Sequence, residues 1–329
     1  EQAGRITHVV LDKTGTLTAG TPTVTDVERF DTDGRVDKNS LDEIVRLAAA
    51  LEQGSSHPLA VAISDYFQQQ GLPTPVVQGA RALAGQGVAG QVEGRSLTLV
   101  SPRAVQSLAL LSDDIKARIA ALEAQGKSVA VLIEAESENE RPLGLLALRD
   151  EPREDARQGL QALERLGVQV VMLSGDNART VAAIGEQLGI EAEGELMPED
   201  KAQRVRDWQA QGFGPIGKVG DGINDAPALA AAEVGIAMGS GTDVALETAD
   251  AALLKNRVTG IAEMIALSRA TMRNVKTNVA LALGFKALFL VSTALGITGM
   301  WVAVMADTGA TVLVTLNALH LLRYRFNDV

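Results

Sequence analysis

Seven residues near the amino end constrain this chain more than any other feature. The apolar run Ile6-Thr7-His8-Val9-Val10-Leu11 leads straight into Asp12-Lys13-Thr14-Gly15-Thr16-Leu17-Thr18. A buried-strand pattern ending in a carboxylate and a Gly/Thr-rich turn puts a nucleophile at the carboxyl end of a parallel strand. Open α/β sheets keep their sites there. The fold class this demands is α/β.

Three later segments carry related signals. Val168 to Leu173 is another buried-strand pattern, and it ends in Ser174-Gly175-Asp176-Asn177, where a hydroxyl and turn amides suit phosphate oxygens. Lys201, in Met197-Pro198-Glu199-Asp200-Lys201, supplies a cation for a transferring group. Gly214 to Val219 reads as a strand feeding the loop Gly220-Asp221-Gly222-Ile223-Asn224-Asp225-Ala226-Pro227. An unpaired lysine buried in that strand is costly. Lys218 therefore reaches out, finds a partner, or leaves the strand weak. Taken singly, each segment is also an ordinary Asp/Gly turn.

The string at residues 12 to 18 resembles the phosphorylation motif of P-type ATPases, and the later segments stand in that family's order. The resemblance implies a HAD-like Rossmannoid phosphorylation domain in which Asp12 takes phosphate from ATP. It assigns Ser174, Gly175 and Asp176 to the phosphate oxygens and Lys201 to the transferring group. Asn224 joins the catalytic set. Mg²⁺ is held by Asp12, Asp221 and the Thr14 carbonyl, in keeping with its preference for a few carboxylates plus phosphate and water. Related phosphatases carry a second Asp two places after the nucleophile, where this chain has Thr14. Without that general acid/base, hydrolysis loses a factor of about 10² to 10⁴, so an acyl-phosphate persists. Most members have Thr at the position of Ser174, and apolar residues where Gly217 and Lys218 stand.

The catalytic segments are split, which marks residues 24–145 as an inserted α+β domain. Residues 1–23 and 146–257 form the phosphorylation domain, and 258–329 a helical stalk with two membrane helices. Within the insert, helical patterns cover Leu41 to Leu51, Ala60 to Gln70 and Asp113 to Gln125. Strand patterns cover Gly87 to Val92, Ser96 to Val100 and Ser128 to Glu134. The acidic stretch Glu134 to Arg141 reads as a solvated hairpin tip. Ser55-Ser56-His57-Pro58 is similar to the Ser-x-His-Pro motif of heavy-metal (type IB) P-type ATPases, and Gly85-Gln86-Gly87 to their Gly-x-Gly nucleotide loop. By that resemblance Glu52 and His57 address adenine, while Gly85 and Gly87 let backbone approach the nucleotide. On the residues alone, a His before Pro is as readily a helix start. Asp150 reads as a helix cap ahead of Pro152 or, by resemblance, as a hinge residue near the phosphates.

Two apolar runs, Thr277 to Leu295 and Met300 to Leu322, are each close to the roughly 20 residues that cross a bilayer. Arg273 and Lys276 precede the pair, Arg323 and Arg325 follow it, and the connecting turn has no basic residue. The hairpin is thus expected to be anchored on the cytoplasmic side. Lys286 and Asp307 interrupt the runs, and intramembrane charges are usually functional. Asp307-Thr308-Gly309-Ala310-Thr311 resembles the last membrane helix of the zinc/cadmium/lead exporters, whereas copper exporters carry Met and Ser there. The resemblance makes Asp307 a ligand for the transported cation, since a carboxylate suits Zn²⁺, Cd²⁺ or Pb²⁺ better than soft Cu(I). Lys286 becomes a neighbouring charge that replaces the metal's; a structural ion pair is the alternative.

Cysteine is absent, so the chain has neither disulfides nor a thiolate metal site. A net charge of −11 argues against nucleic acid as a partner. Glu1 in place of a start Met implies that the chain begins inside a longer protein. The resemblance supplies the absent partners: earlier membrane helices with a Cys-Pro-Cys site, and an actuator domain. The expectation is the catalytic carboxyl-terminal portion of a multi-pass plasma-membrane exporter, its catalytic domains cytoplasmic, not transport-competent alone. The alternatives are a soluble or membrane-tethered phosphatase of the same fold and a non-catalytic nucleotide-binding fragment.

Overall fold

The computed structural model describes residues 1–30, 36–37, 41–55, 57–71, 75–83, 86–106, 111–136 and 139–324. After β1 (His8–Asp12) the chain enters β2 (Thr23–Phe30), β3 (Val36–Asp37), α1 (Leu41–Leu51), α2 (Pro58–Gln68), β4 (Val77–Leu83), β5 (Gly87–Val92) and β6 (Arg95–Val100). Then come α3 (Pro102–Gln106), α4 (Asp113–Glu123), β7 (Ser128–Glu136) and β8 (Asn139–Arg149). It continues through α5 (Ala156–Arg165), β9 (Gln169–Leu173), α6 (Ala178–Leu188), β10 (Glu191–Glu193), α7 (Pro198–Ala210) and β11 (Ile216–Gly220). The last elements are α8 (Ala226–Ala231), β12 (Val234–Ala237), α9 (Asp243–Thr248), β13 (Ala251–Ala252), α10 (Thr259–Ala294) and α11 (Met300–His320).

β1 sits inside a six-stranded parallel sheet of order β10-β9-β1-β11-β12-β13. Its apolar side chains are buried because helices cover both faces, as parallel sheets require. Val9 and Leu11 join Leu160, Val181 and Ile261 in one core, while Val10 faces Leu173, Val205 and Ile216 on the other side. The chain leaves β1 first toward β9 and later returns to β11, so strand order reverses at β1. Such a switch point opens a crevice at the carboxyl ends of the strands.

The segment between β1 and β9 makes a second, antiparallel sheet of order β3-β2-β8-β7-β6-β5-β4. α1 and α2 cover one face through Ile44, Leu47, Ile63 and Phe67. Ile115, Ile119 and Leu122 of α4 cover the other. This is the expected α+β insert, and α1 and β5 coincide with the sequence patterns. β8 runs on to Arg149, past the expected boundary at residue 145. The two connections are stitched side by side: Thr18 bridges Pro152, and the Ala19 amide donates to the Glu151 carbonyl at 3.0 Å.

Two local expectations are corrected. Glu134 is only 4% exposed, not part of a solvated tip. Arg95 reaches it at 2.5 Å and Arg141 at 2.9 Å, and their hydrogen bonds outweigh burial, lowering its pKa to about 2. Asp150 caps no helix, since α5 begins only at Ala156 with Asp155 ahead of it. Its buried carboxylate instead accepts from the Thr18 hydroxyl and the Gly20 amide.

α10 is one unbroken helix of 36 residues. Its first turns belong to the core of the parallel sheet through Ile261, Ala262 and Ile265. Arg269 then donates to the carbonyls of Gly4, Ile6 and Leu166 at 3.1, 2.9 and 2.6 Å. Farther on, Leu283, Leu288 and Leu290 are exposed, as are Trp301, Met305 and Leu316 of α11. The helices Thr259–Ala294 and Val304–Arg323 are long and apolar enough to cross a membrane. They are joined by hydrogen bonds from Asn274 to the Asn317 carbonyl, Asn278 to Asn274 and Asn317 to Asn278, at 2.7 to 2.8 Å.

Glu134 offers a test of the insert's packing. Glu134→Gln should cost about 1–3 kcal/mol at neutral pH, because it removes charged hydrogen bonds from a buried site. The wild-type advantage is complete above the ordinary glutamate pKa near 4.5 and is lost as pH falls toward 2. Thermal unfolding of both forms across that range should therefore converge in acid.

Candidate active site

The parallel sheet brings three strand ends together. Asp12 is the last residue of β1 and stands opposite Leu173, the last of β9. Leu11 stands opposite Val219, next to last in β11. The residues that follow, Ser174 and Asp221, thereby flank Asp12.

Asp12 is buried, and both of its oxygens are engaged. The Lys201 ammonium, reaching in from α7, pairs with Oδ1. The Thr14 amide donates to Oδ2 at 3.1 Å. Gly15 turns the chain at a φ of +71°, and an added Cβ would lie 1.5 Å from the Asp221 carboxylate. Only glycine serves there, for both conformation and space. Arg153 locks the turn from outside, donating to the carbonyls of Gly15 at 2.6 Å and Thr16 at 2.9 Å.

Among the described residues, the carboxylates of Asp12, Asp221 and Asp225 lie within 4.8 Å of one another. Burial raises the pKa of Asp12, and Asp225 adds to the rise while Lys201 opposes it. Asp221 is pushed up to about 6 by burial and by the charges of Asp12 and Asp225. Burial alone would raise Asp225, but Lys218 and Lys201 outweigh it and hold the group below its ordinary value. Burial would likewise lower Lys201, yet Asp12 and Asp225 lift it. Mutually repelling hard oxygens beside a backbone turn fit a divalent cation such as Mg²⁺.

The remaining predicted residues fall into three places. Ser174 is buried beside the cluster, its Oγ accepting from the Asp176 amide at 3.2 Å, and Asp176 pairs with Lys13. Gly175 and Asn224 lie exposed on the same rim. In the insert, His57 caps α2, its Nδ1 accepting from the Leu59 amide at 3.3 Å. Glu52 lies half-buried just before it, its pKa raised by burial. Gly87 starts β5 at a φ of +153°, with the Leu99 carbonyl 2.0 Å from where a Cβ would stand. Gly85 lies outside the described residues, as do Ser56 and Arg325. Lys286 and Asp307 face each other across the helical hairpin at 3.9 Å.

Lys13, Arg153 and Asp225 are the residues that sequence reasoning passed over, although Lys13 and Asp225 stand in segments it singled out and Arg153 directly follows one. Lys218, the anomaly of β11, is settled as a pair. It is fully buried, 3.2 Å from Asp225 and 2.9 Å from the carbonyl of Val219. The strand it sits in starts at Ile216, two residues later than expected.

A family model for haloacid dehalogenase-like hydrolases matches residues 6–233, and a second model of the same description matches 216–265. The chain is 47% identical over 325 residues to a zinc/cadmium/lead-transporting P-type ATPase of Escherichia coli. That match takes in 99% of the chain and 42% of the relative. The chain belongs to the haloacid dehalogenase-like hydrolases. A crystal structure of a zinc-transporting PIB-type ATPase superposes with a TM-score of 0.73 at 47% identity, over 98% of this chain and 50% of that one. A copper-exporting P-type ATPase of Bacillus subtilis is 39% identical, over 98% of this chain and 39% of its own length. The chain thus spans about half or less of the length of these relatives.

Gly15→Ala provides a test of the turn. The left-handed φ and the clash with Asp221 should together destabilise the fold by about 1–3 kcal/mol. Displacing Asp221 should also abolish any rise in Tm on adding Mg²⁺, the rise expected when a ligand binds only the native state. Thermal unfolding with and without the cation reads both effects.

Proposed function

We propose that this chain is the catalytic portion of an ATP-driven exporter of divalent heavy-metal cations, working through an acyl phosphate on Asp12. One observation carries the reading: a buried carboxylate at a strand end, held by Lys201 and the Thr14 amide, with Asp221 and Asp225 beside it. An oxygen of Asp12 attacks the γ-phosphorus of ATP, the bond to the β-phosphate oxygen breaks, and ADP leaves. Lys201 keeps the attacking group ionised and faces the negative charge that gathers in the transition state. The Ser174 hydroxyl, with the turn of Gly175 and Asp176, receives phosphate oxygens. Mg²⁺, held by Asp12, Asp221 and the Thr14 carbonyl, would neutralise charge on the transferring phosphate. Asn224 lines the same rim.

Residues 23–149 serve as the nucleotide-binding insert, with Glu52, His57 and the loop of Gly85 and Gly87 toward adenine. Asp150 pins the hinge close to the phosphates. Thr14 offers no carboxylate to activate water, so hydrolysis waits for a group from the rest of the protein, such as an actuator domain. A free-standing phosphatase would need that carboxylate here. The helical hairpin sits in the plasma membrane with the catalytic parts in the cytoplasm. Asp307 acts as a ligand for the cargo, Zn²⁺, Cd²⁺ or Pb²⁺, and Lys286 as the charge that takes its place. The carboxylate and the identity to a zinc/cadmium/lead transporter favour this cargo over copper.

Incubation of the detergent-solubilised chain with γ-labelled ATP and Mg²⁺ should give an acid-stable, hydroxylamine-labile label that Asp12→Asn abolishes. Label persisting in Asp12→Asn would remove Asp12 from the nucleophile role. In the complete pump reconstituted in vesicles, Asp307→Ala should lower metal-stimulated turnover by tenfold or more, about the scale of losing a ligand or its support. Wild-type stimulation would leave Asp307 a structural charge.

A further inference from the structure

Lys218 is an oddity that phosphoryl transfer does not use. It projects from the central part of a parallel strand whose other residues are apolar or glycine, and none of its surface is exposed. Burying an ammonium costs several kcal/mol unless it is paired well. Its partners are the Asp225 Oδ1 at 3.2 Å and the Val219 carbonyl at 2.9 Å. That same Asp225 oxygen is also 3.2 Å from Lys201, whose ammonium pairs with Asp12.

The shared oxygen has two consequences. First, Asp225 Oδ1 is clamped between two ammonium groups, so that oxygen is taken by lysines rather than offered to a cation. Second, the charge balance of the cluster changes. Three carboxylates stand against two lysines, which leaves one net negative charge where a cluster with Lys201 alone would carry two. Both effects oppose a divalent ion.

We propose that Lys218 is a built-in countercharge that weakens divalent-cation binding at the Asp12 and Asp221 carboxylates by holding Asp225 out of the coordination sphere. This rests on reading that cluster as the Mg²⁺ site. Lys218 is a positioning residue: it touches neither phosphate nor cation and acts through Asp225. The chain gains a site that loads Mg²⁺ with its nucleotide, when phosphate oxygens complete the ligand set, rather than holding the ion beforehand. A lysine also suits the position sterically, because its stem fills the space an unbranched apolar side chain would take.

The test replaces the charge and keeps the volume. Lys218→Met and Lys218→Leu, each first checked for a cooperative thermal transition, are titrated with Mg²⁺ and with Mn²⁺ in the absence of nucleotide. Calorimetry follows the first ion and electron paramagnetic resonance of free Mn²⁺ the second, so the readout is binding rather than turnover. The proposal predicts a Kd lowered on the order of tenfold in both variants, as removal of a near charge implies. It also predicts a lower Mg²⁺ concentration for half-maximal phosphorylation, with little change in the KM for ATP. An unchanged or raised Kd in a folded variant overturns it. Failure of both variants to fold overturns it as well, since Lys218 would then be a requirement of the strand. Absence of any Mg²⁺ or Mn²⁺ binding to the wild-type chain, with or without nucleotide, would instead sink the reading of the cluster on which the proposal rests.

Discussion

The Lys201 ammonium is the contact on which the rest of the site depends. Three carboxylates within 4.8 Å, mostly buried, repel one another strongly in the low dielectric of a protein interior. Lys201 pairs with two of them, Asp12 and Asp225, from a helix that starts after β10. With Lys218 also paired to Asp225, Lys201 offsets part of that repulsion where the sheet brings Asp12, Asp221 and Asp225 together. Strand order does the rest, because the reversal at β1 puts Asp12 between the segments that follow β9 and β11.

A second physical link joins this site to the hairpin. α10 begins inside the core of the parallel sheet and continues without a break into its exposed apolar half. Arg269 ties it to the backbone just before β1 and just before β9, the two strands whose ends hold Asp12 and Ser174. One continuous helix thus runs from the sheet to Lys286, which faces Asp307 of α11. The asparagine network holds α11 to the same helix, on which Lys286 lies 3.9 Å from Asp307.

Much of this was legible in the sequence because the chemistry sits in contiguous strings: an apolar strand, then a polar turn. Asp12, Thr14, Ser174, Lys201 and Asp221 were singled out from those strings together with the family resemblance they carry. The residues that escaped depend on distant partners. Asp225 stands in a recognised loop, yet its role is set by Lys218 on β11 and Lys201 on α7. Arg153 follows a segment first read as a helix start, but its guanidinium closes the turn at Gly15 more than a hundred residues away. Glu134 looked solvated because it opens an acidic stretch, and only the strand register brings Arg95 beneath it. β4 escaped detection because it is an edge strand with mostly exposed residues, where no alternation is imposed.

The proposed chemistry puts the phosphate on Asp12 and on none of its acidic neighbours. The most direct measurement is to react the chain with ATP and Mg²⁺, reduce it with borohydride, and map the peptides by mass spectrometry. Reduction of an aspartyl phosphate leaves homoserine at the modified position. Homoserine at position 12 alone is the predicted result. Homoserine at Asp221 or Asp225, or at no residue in a chain that nonetheless hydrolyses ATP, would contradict it.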